Sequence, residues 1–309
     1  MPELNQPEPV PTPATRPASE GDRTMAATAD PTSTATATPT PAPAPAASHR
    51  GARGTLLVVG ALLAVALAIG AGLQAVNLTT GQERRDEHVT LPASVDRLEV
   101  RASSGNLTLT AAAGDQAVVD ARLSGTVHPP ALKVDIDGHT ARVHTDCSWQ
   151  LLLSCDATLR LAVPAGVTVV ARSSSGDVRA VGLTGSIDLH TSSGNVVADG
   201  CSGTARLTTS SGDVRATRLR AQTVYAHSSS GDVTVNLTVA PTDVEAATSS
   251  GDVRVTVPSG SETYDATAHT SSGSDSVRVA ADPRSSRRIE VRSSSGDVSI
   301  RYAGADEAS

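Results

Sequence analysis

Ser174-Ser175-Gly176-Asp177-Val178 recurs down the second half of the chain. Copies stand at Ser210-Ser211-Gly212-Asp213-Val214, Gly231-Asp232-Val233, Gly251-Asp252-Val253 and Gly296-Asp297-Val298, with looser ones at Gly105-Asn106-Leu107, Gly194-Asn195-Val196 and Ser272-Gly273-Ser274. From Gly176 onward the glycines lie 18, 18, 19, 20, 22 and 23 residues apart. Self-similarity at a period near 20 residues marks a stacked-repeat architecture. A finer period lies inside it: Gly176, Gly185, Gly194, Gly203 and Gly212 are nine residues apart, so one coil is two half-coils. Each half alternates polar and apolar residues, as in Asp177-Val178-Arg179-Ala180 and Ser186-Ile187-Asp188-Leu189. Period-two alternation is the mark of a strand with one buried face, and Gly with Ser at the corners permits the bend.

The pattern predicts an all-β fold, a parallel β-solenoid of short 18–23-residue coils. About seven coils stacked at the ordinary strand spacing of about 4.8 Å would form a rod of roughly 34 Å. Antiparallel hairpins in a sandwich also turn every 8–12 residues and are the rival reading. The solenoid is favoured because one residue type returns at one coil position. Val178, Val196, Val214, Val233, Val253 and Val298 would form one inward column, and Ala180, Ala198 and Ala216 another.

Residues 1–54 are rich in Pro, Ala and Thr and carry no aromatic residue, a composition too poor in large apolar groups to offset the entropy of ordering. They are expected to be a disordered tail. Residues 55–76 are 22 residues without a charge, long enough to span a bilayer as one transmembrane helix. A signal peptide would have a shorter apolar core and a short leader. Arg50 and Arg53 on the near side favour a cytoplasmic N-terminus, with the repeats outside the cell membrane. A juxtamembrane linker, 77–92, leads to the solenoid, 93–302, in which 93–170 is irregular or a cap and 171–302 holds the regular coils; 303–309 is a short tail. In the irregular part Asp137-Gly138 reads as a hairpin turn.

Residues 82–309 hold 21 basic and 27 acidic side chains, a net charge of about −6, with no basic cluster along the sequence to indicate nucleic acid. The chain has no Phe and a single Trp, so the core must be built of Val, Leu, Ile and Ala. Three constellations offer chemistry. Asp177, Asp213, Asp232 and Asp252, with Asn195 between them, form a column that would suit Ca²⁺, but calcium-binding nonapeptide solenoids carry Gly-Gly-x-Gly-x-Asp in every half-coil. The plainer reading is a carboxylate bonding backbone amides at the corner, with an arginine two residues on (Asp177–Arg179, Asp213–Arg215, Asp252–Arg254). His190, His227 and His269 each stand four residues before a corner glycine, in one outward column about two strand spacings apart, too far to share a Zn²⁺. No polar cluster breaks the repeat as a catalytic site would, so neither an enzyme nor a cofactor is expected. Cys147 and Cys155 bracket a seven-residue segment and are candidates for a disulfide; Cys201 stands alone at a corner. The sequons at Asn77, Asn106 and Asn236 matter only in a cell that glycosylates them.

Leu161-Ala162-Val163-Pro164-Ala165-Gly166-Val167-Thr168-Val169, leading into Ser174-Ser175-Gly176-Asp177-Val178, resembles the bacterial β-strand-repeat family labelled "putative adhesins" over roughly residues 95–302. The resemblance implies a membrane-tethered extracytoplasmic β-solenoid of the cell envelope and brings no catalytic residues. Two functions follow. One is an adhesin or surface scaffold that binds wall polymers or another envelope protein through its polar faces. The other is a regulatory membrane protein that senses envelope stress.

Overall fold

In the computed structural model the described residues are 83–125, 130–146 and 155–304. The expected tail, the membrane helix and the first part of the linker, 77–82, lie outside them, as does Cys147, whereas the rest of the linker is described and forms a strand. Among the described residues every regular element is a strand, and no helix is long and apolar enough to cross a membrane.

The strands run in chain order as β1 (Glu83–Thr90), β2 (Arg97–Ala102), β3 (Leu107–Ala111), β4 (Val118–Gly125), β5 (Ala131–Asp137), β6 (Thr140–Asp146) and β7 (Cys155–Val163). The regular coils follow as β8 (Thr168–Ser175) with β9 (Val178–Val181), β10 (Ile187–Ser193) with β11 (Val196–Asp199), and β12 (Ala205–Ser211) with β13 (Val214–Leu219). Then come β14 (Thr223–Ser230) with β15 (Val233–Leu237), β16 (Asp243–Ser250) with β17 (Val253–Val257), β18 (Asp265–Ser272) with β19 (Asp275–Arg278), and β20 (Arg288–Ser295) with β21 (Val298–Tyr302). They form two sheets, of eleven strands in the order β1-β4-β7-β3-β9-β11-β13-β15-β17-β21-β19 and ten in the order β18-β20-β16-β14-β12-β10-β8-β2-β6-β5. Each coil gives one strand to each sheet, and neighbouring coils pair in parallel, an arrangement consistent with a solenoid.

Register confirms the inward columns. Val178, Val196, Val214, Val233, Val253 and Val298 are successive partners and all are buried. Ala180, Ala198 and Ala216 are continued by Val235, Val255 and Ile300. Size is traded within a coil. Leu189 and Leu207 share coils with Ala198 and Ala216, whereas Ala226 and Ala246 share theirs with Val235 and Val255. That alternation fills the thin core of these coils with aliphatic side chains, as expected, but Tyr264, just before β18, is also fully buried, so the core is not purely aliphatic.

Two features depart from the sequence reading. Coil order in space is not chain order at either end. The β2–β3 coil lies between β6–β7 and β8–β9, and β20–β21 lies between β16–β17 and β18–β19. The seven regular coils are present, and β2–β3 and β6–β7 from the irregular part join the same parallel stack, making nine among the described residues. The irregular part supplies both coil and cap: β1, β4 and the β5–β6 hairpin pair antiparallel and cover one end of the stack. The hairpin turns at Asp137-Gly138 as expected, with Gly138 at φ 58°. Charged residues crowd the β1 edge strand, which discourages further strand pairing there.

Candidate functional site

The corner that carries Ser-Ser-Gly-Asp is held by two ladders. In the first, each Asp or Asn side chain accepts the backbone N–H of its counterpart on the next coil. The Asn195 N–H donates to Asp177 Oδ1 (2.8 Å), the Asp213 N–H to Asn195 Oδ1 (2.9 Å), the Asp232 N–H to Asp213 Oδ1 (2.9 Å) and the Asp252 N–H to Asp232 Oδ1 (2.9 Å). Asn106 extends it at one end, Asp297 and Ser274 at the other. One oxygen of each candidate calcium ligand is thus committed to the backbone. No group of three or more His, Cys, Asp or Glu among the described residues is placed to hold a metal ion. Of the three expected carboxylate–arginine pairs, only Asp252–Arg254 is within ion-pair distance, at 2.6 Å. The Arg179 and Arg215 side chains make no such contact with Asp177 and Asp213.

The second ladder was not foreseen. The residue three before Gly194, Gly212, Gly231 and Gly251 is a buried Ser or Thr whose hydroxyl donates to the glycine carbonyl of the neighbouring coil. Thr191 bonds Gly176 O (2.9 Å), Thr209 bonds Gly194 O (2.9 Å), Ser228 bonds Gly212 O (2.8 Å) and Thr248 bonds Gly231 O (2.9 Å). The signal was present in the sequence, since Ser or Thr precedes every Ser-Ser-Gly of the regular coils. The glycine itself is obligatory: at Gly212 φ is +139° and a Cβ would lie 2.2 Å from the Gly194 carbonyl oxygen. At the far corner Gly182 and Gly200 adopt φ near 65–69°, and the next coil places Arg218 there at φ 51°. The Arg218 guanidinium is anchored by Asp199 at 2.5 Å.

Cys201 is fully buried, in line with Leu183 and Leu219 through the bonds Ser202 N–H to Leu183 O and Arg220 N–H to Cys201 O. Burial pushes its thiol up from the ordinary value. It is a core residue and a free cysteine, whereas Cys155, which opens β7, is disulfide-bonded.

His190, His227 and His269 do share one outward column. Thr208 separates the first two, as expected. Between His227 and His269, however, stand both Ala247 and Arg292, because the last coil is inserted. That pair is three strand spacings apart, not two. Beside the column, Arg206 lies over the Tyr225 ring (4.1 Å), and Tyr225 and His227 stack with centroids 6.4 Å apart. Toward the capped end a cleft of about 400 Å³ is lined by Glu99, Arg101, Asp135, Arg142 and His144 among others. The hydrogen bond from Arg97 holds the Glu99 carboxyl below its usual range, against the opposing effect of burial.

The fold and its corners define the class: a two-sheet stack of short coils with a thin, mainly aliphatic core, each Ser-Ser-Gly corner of the regular coils closed by hydrogen-bond ladders to the next coil. The family model described as Toastrack DUF4097 matches residues 69–301, and the chain belongs to that family. Solved structures match the chain at low identity. A putative adhesin from Bacteroides fragilis is 17% identical over 72% of this chain and 98% of its own, with a TM-score of 0.38. A putative cell adhesion protein from Clostridium sporogenes is 12% identical over 71% of this chain and all of its own, with a TM-score of 0.33. No curated protein matches the chain.

Proposed function

We propose that this protein is a membrane-anchored, extracytoplasmic rod of the bacterial cell envelope that binds or scaffolds and does not catalyse. The carrying observation is repetition: the same polar residue types return at the same register on successive coils, as in the corner ladder from Asn106 to Ser274. A catalytic site concentrates particular groups in one place. A repeated face instead offers many similar weak contacts, the arrangement that adhesion by avidity uses. The uncharged segment 55–76, with Arg50 and Arg53 beside it, supports the anchor and its orientation. The adhesion vocabulary attached to the solved structures is in keeping with this reading.

The test has two parts. Protease added to intact, wall-stripped cells is expected to remove the repeats and spare the N-terminal tail; protected repeats would reverse the orientation. The full chain clustered on beads is expected to bind cell surfaces that the same chain, added as a monomer, binds little. Turnover of a polysaccharide or peptide substrate, lost on one point change, would overturn the reading.

A further inference from the structure

The histidine column is part of a longer stripe. Rung by rung, the outer face of the ten-stranded sheet presents His144, Arg101, Arg172, His190, Thr208, His227, Ala247, Arg292 and His269. Seven of these nine positions are arginine or histidine and none is acidic. They include four of the eight histidines in the chain. At about 4.8 Å per rung the stripe is roughly 38 Å long. Its side chains are exposed or half-buried, so the core does not require them.

One flank is a column of hydroxyls. Ser174, Ser192, Ser210 and their counterparts stand two residues further along each strand, on the same face, and are exposed. The other flank carries Arg206 and Tyr225 together with the carboxylates Glu99, Asp188, Glu245 and Glu290. Most of those carboxylates are already matched. Glu99 is held by Arg97 (3.0 Å) and Arg142 (3.7 Å), Asp188 faces Arg172 (3.5 Å), and Glu290 is gripped by Arg288 and Arg292. At the capped end His144 has Asp135 at 3.8 Å, Lys133 opposite it on β5, and Asp146, which binds Lys133. His190 has Arg172 and Thr208 beside it and Asp188 on its own strand. His227 has Thr208 and Ala247 beside it, with Tyr225 on its own strand and Glu245 on the next. His269 has Arg292 beside it, with Glu290 one rung away.

We propose that this stripe binds a linear, hydroxyl-bearing polyanion lying along the stack, an acidic glycopolymer. The proposal rests on reading the domain as a binding rod and names the ligand class of one of its faces. Arg172 and Arg292 are themselves paired with Asp188 and Glu290, but with Arg101, Arg97, Arg142, Arg206 and Arg288 the arginines outnumber the carboxylates beside them and leave the face net positive. Serine hydroxyls meet the polymer's own hydroxyls, and Tyr225 offers a ring beside Arg206 and His227. Imidazole changes charge between about pH 5 and 8. A bound anion favours the charged form of an imidazole beside it. Affinity therefore rises as pH falls, and the bound polymer in turn draws protons onto the histidines. The negative net charge of the rest of the chain makes the contact local and salt-sensitive.

The test immobilises the full chain and measures capture of polygalacturonate, which carries carboxylates, and poly(glycerol phosphate), which carries phosphodiesters, at about pH 5.5 and pH 8. Neutral dextran and single-stranded DNA are the comparisons. At least one of the two polyanions is expected to bind about tenfold tighter at the lower pH, with binding falling as salt rises; which one does so identifies the anionic group. The triple variant His190→Gln, His227→Gln, His269→Gln is expected to lose the pH dependence yet keep the binding seen at pH 8, which also shows that it is folded. Arg215→Gln, on the outer face of the other sheet, is expected to change nothing. Four results would overturn the proposal: no polyanion binding at either pH, dextran or DNA binding as tightly as the glycopolymers, pH dependence surviving in the triple variant, or an equal loss in Arg215→Gln. If polyanion binding fails while bead-clustered protein still adheres to cells, the stripe is wrong and the binding rod stands.

Discussion

Replacing Gly212 by alanine isolates what the corner requires. The backbone there sits at φ +139°, a region in which a residue with a Cβ is strained by about 1–3 kcal/mol. The new methyl would also lie 2.2 Å from the Gly194 carbonyl oxygen, where ordinary contact begins near 3.4 Å. Neighbouring coils must then separate by about 1 Å at that corner, a shift that stretches bonds worth about 0.5–1.5 kcal/mol each. The bonds in its path are Thr209 Oγ1 to Gly194 O (2.9 Å) and the Asp213 N–H to Asn195 Oδ1 (2.9 Å). The expected loss is about 3–5 kcal/mol, or about 6–20 °C in melting temperature for a domain of this size. Thermal melts of the full chain followed by circular dichroism measure it. Gly114→Ala is the control, since no atom lies within 4 Å of where its Cβ would stand and substitutions of this kind stay within about 0.5 kcal/mol. If Gly212→Ala melts within about 2 °C of the wild type, coils are not in close contact at this corner and the stacking geometry is wrong.

Val214→Asp places a carboxylate in the fully buried valine column at a cost of several kcal/mol, and Arg215→Asp, exposed one residue on, is expected to be nearly neutral; equal melting temperatures would reverse the inward and outward faces. Thr209→Val removes the hydroxyl bonded to the Gly194 carbonyl and is expected to cost about 1–3 kcal/mol, whereas the exposed neighbour change Ser210→Ala is expected to have little effect in the same denaturant titration. Thiol labelling of the unfolded, unreduced chain is expected to modify Cys201 alone, and in the native chain to modify Cys201 only slowly, because its thiol is buried and its ionisation suppressed. Three labelled thiols after unfolding would remove the disulfide between Cys147 and Cys155, and fast native labelling would place Cys201 outside the core.

The corner motif made the stacking readable from the chain. Gly, Asp and Val in fixed succession state which residue bends, which one reaches the backbone and which one turns inward, and the valine column followed from these alone. Coil order was not readable for the same reason. Every corner carries nearly the same ladder, so the coil beginning at Asp265 and the one beginning at Arg288 are both acceptable neighbours for the coil beginning at Asp243. The choice is made by the connection after β19, where Tyr264 exchanges backbone bonds with Ala280 and Asp282 while Arg287 reaches the carbonyls of Ala240 and Pro241. The buried hydroxyl ladder hid in plain sight, because a run of three small polar residues looks uniform until register shows that the first of them faces inward. The basic stripe was hidden more deeply. Its arginines and histidines are far apart along the chain, and only the parallel register brings them into one line.

The inserted coils also decide how the stack would answer to tension. β21 has neighbours on both sides, β17 and β19, so force applied through the chain beyond Gly304 loads two parallel interfaces along their length. That is a shearing geometry, in which the ladder bonds must fail together. At the other end β1 is an edge strand paired only with β4, and force applied there can unzip one bond pair at a time. A tether at the β1 end and a load at the other would therefore make the capped end the mechanical fuse, yielding first while the repeating coils keep their register.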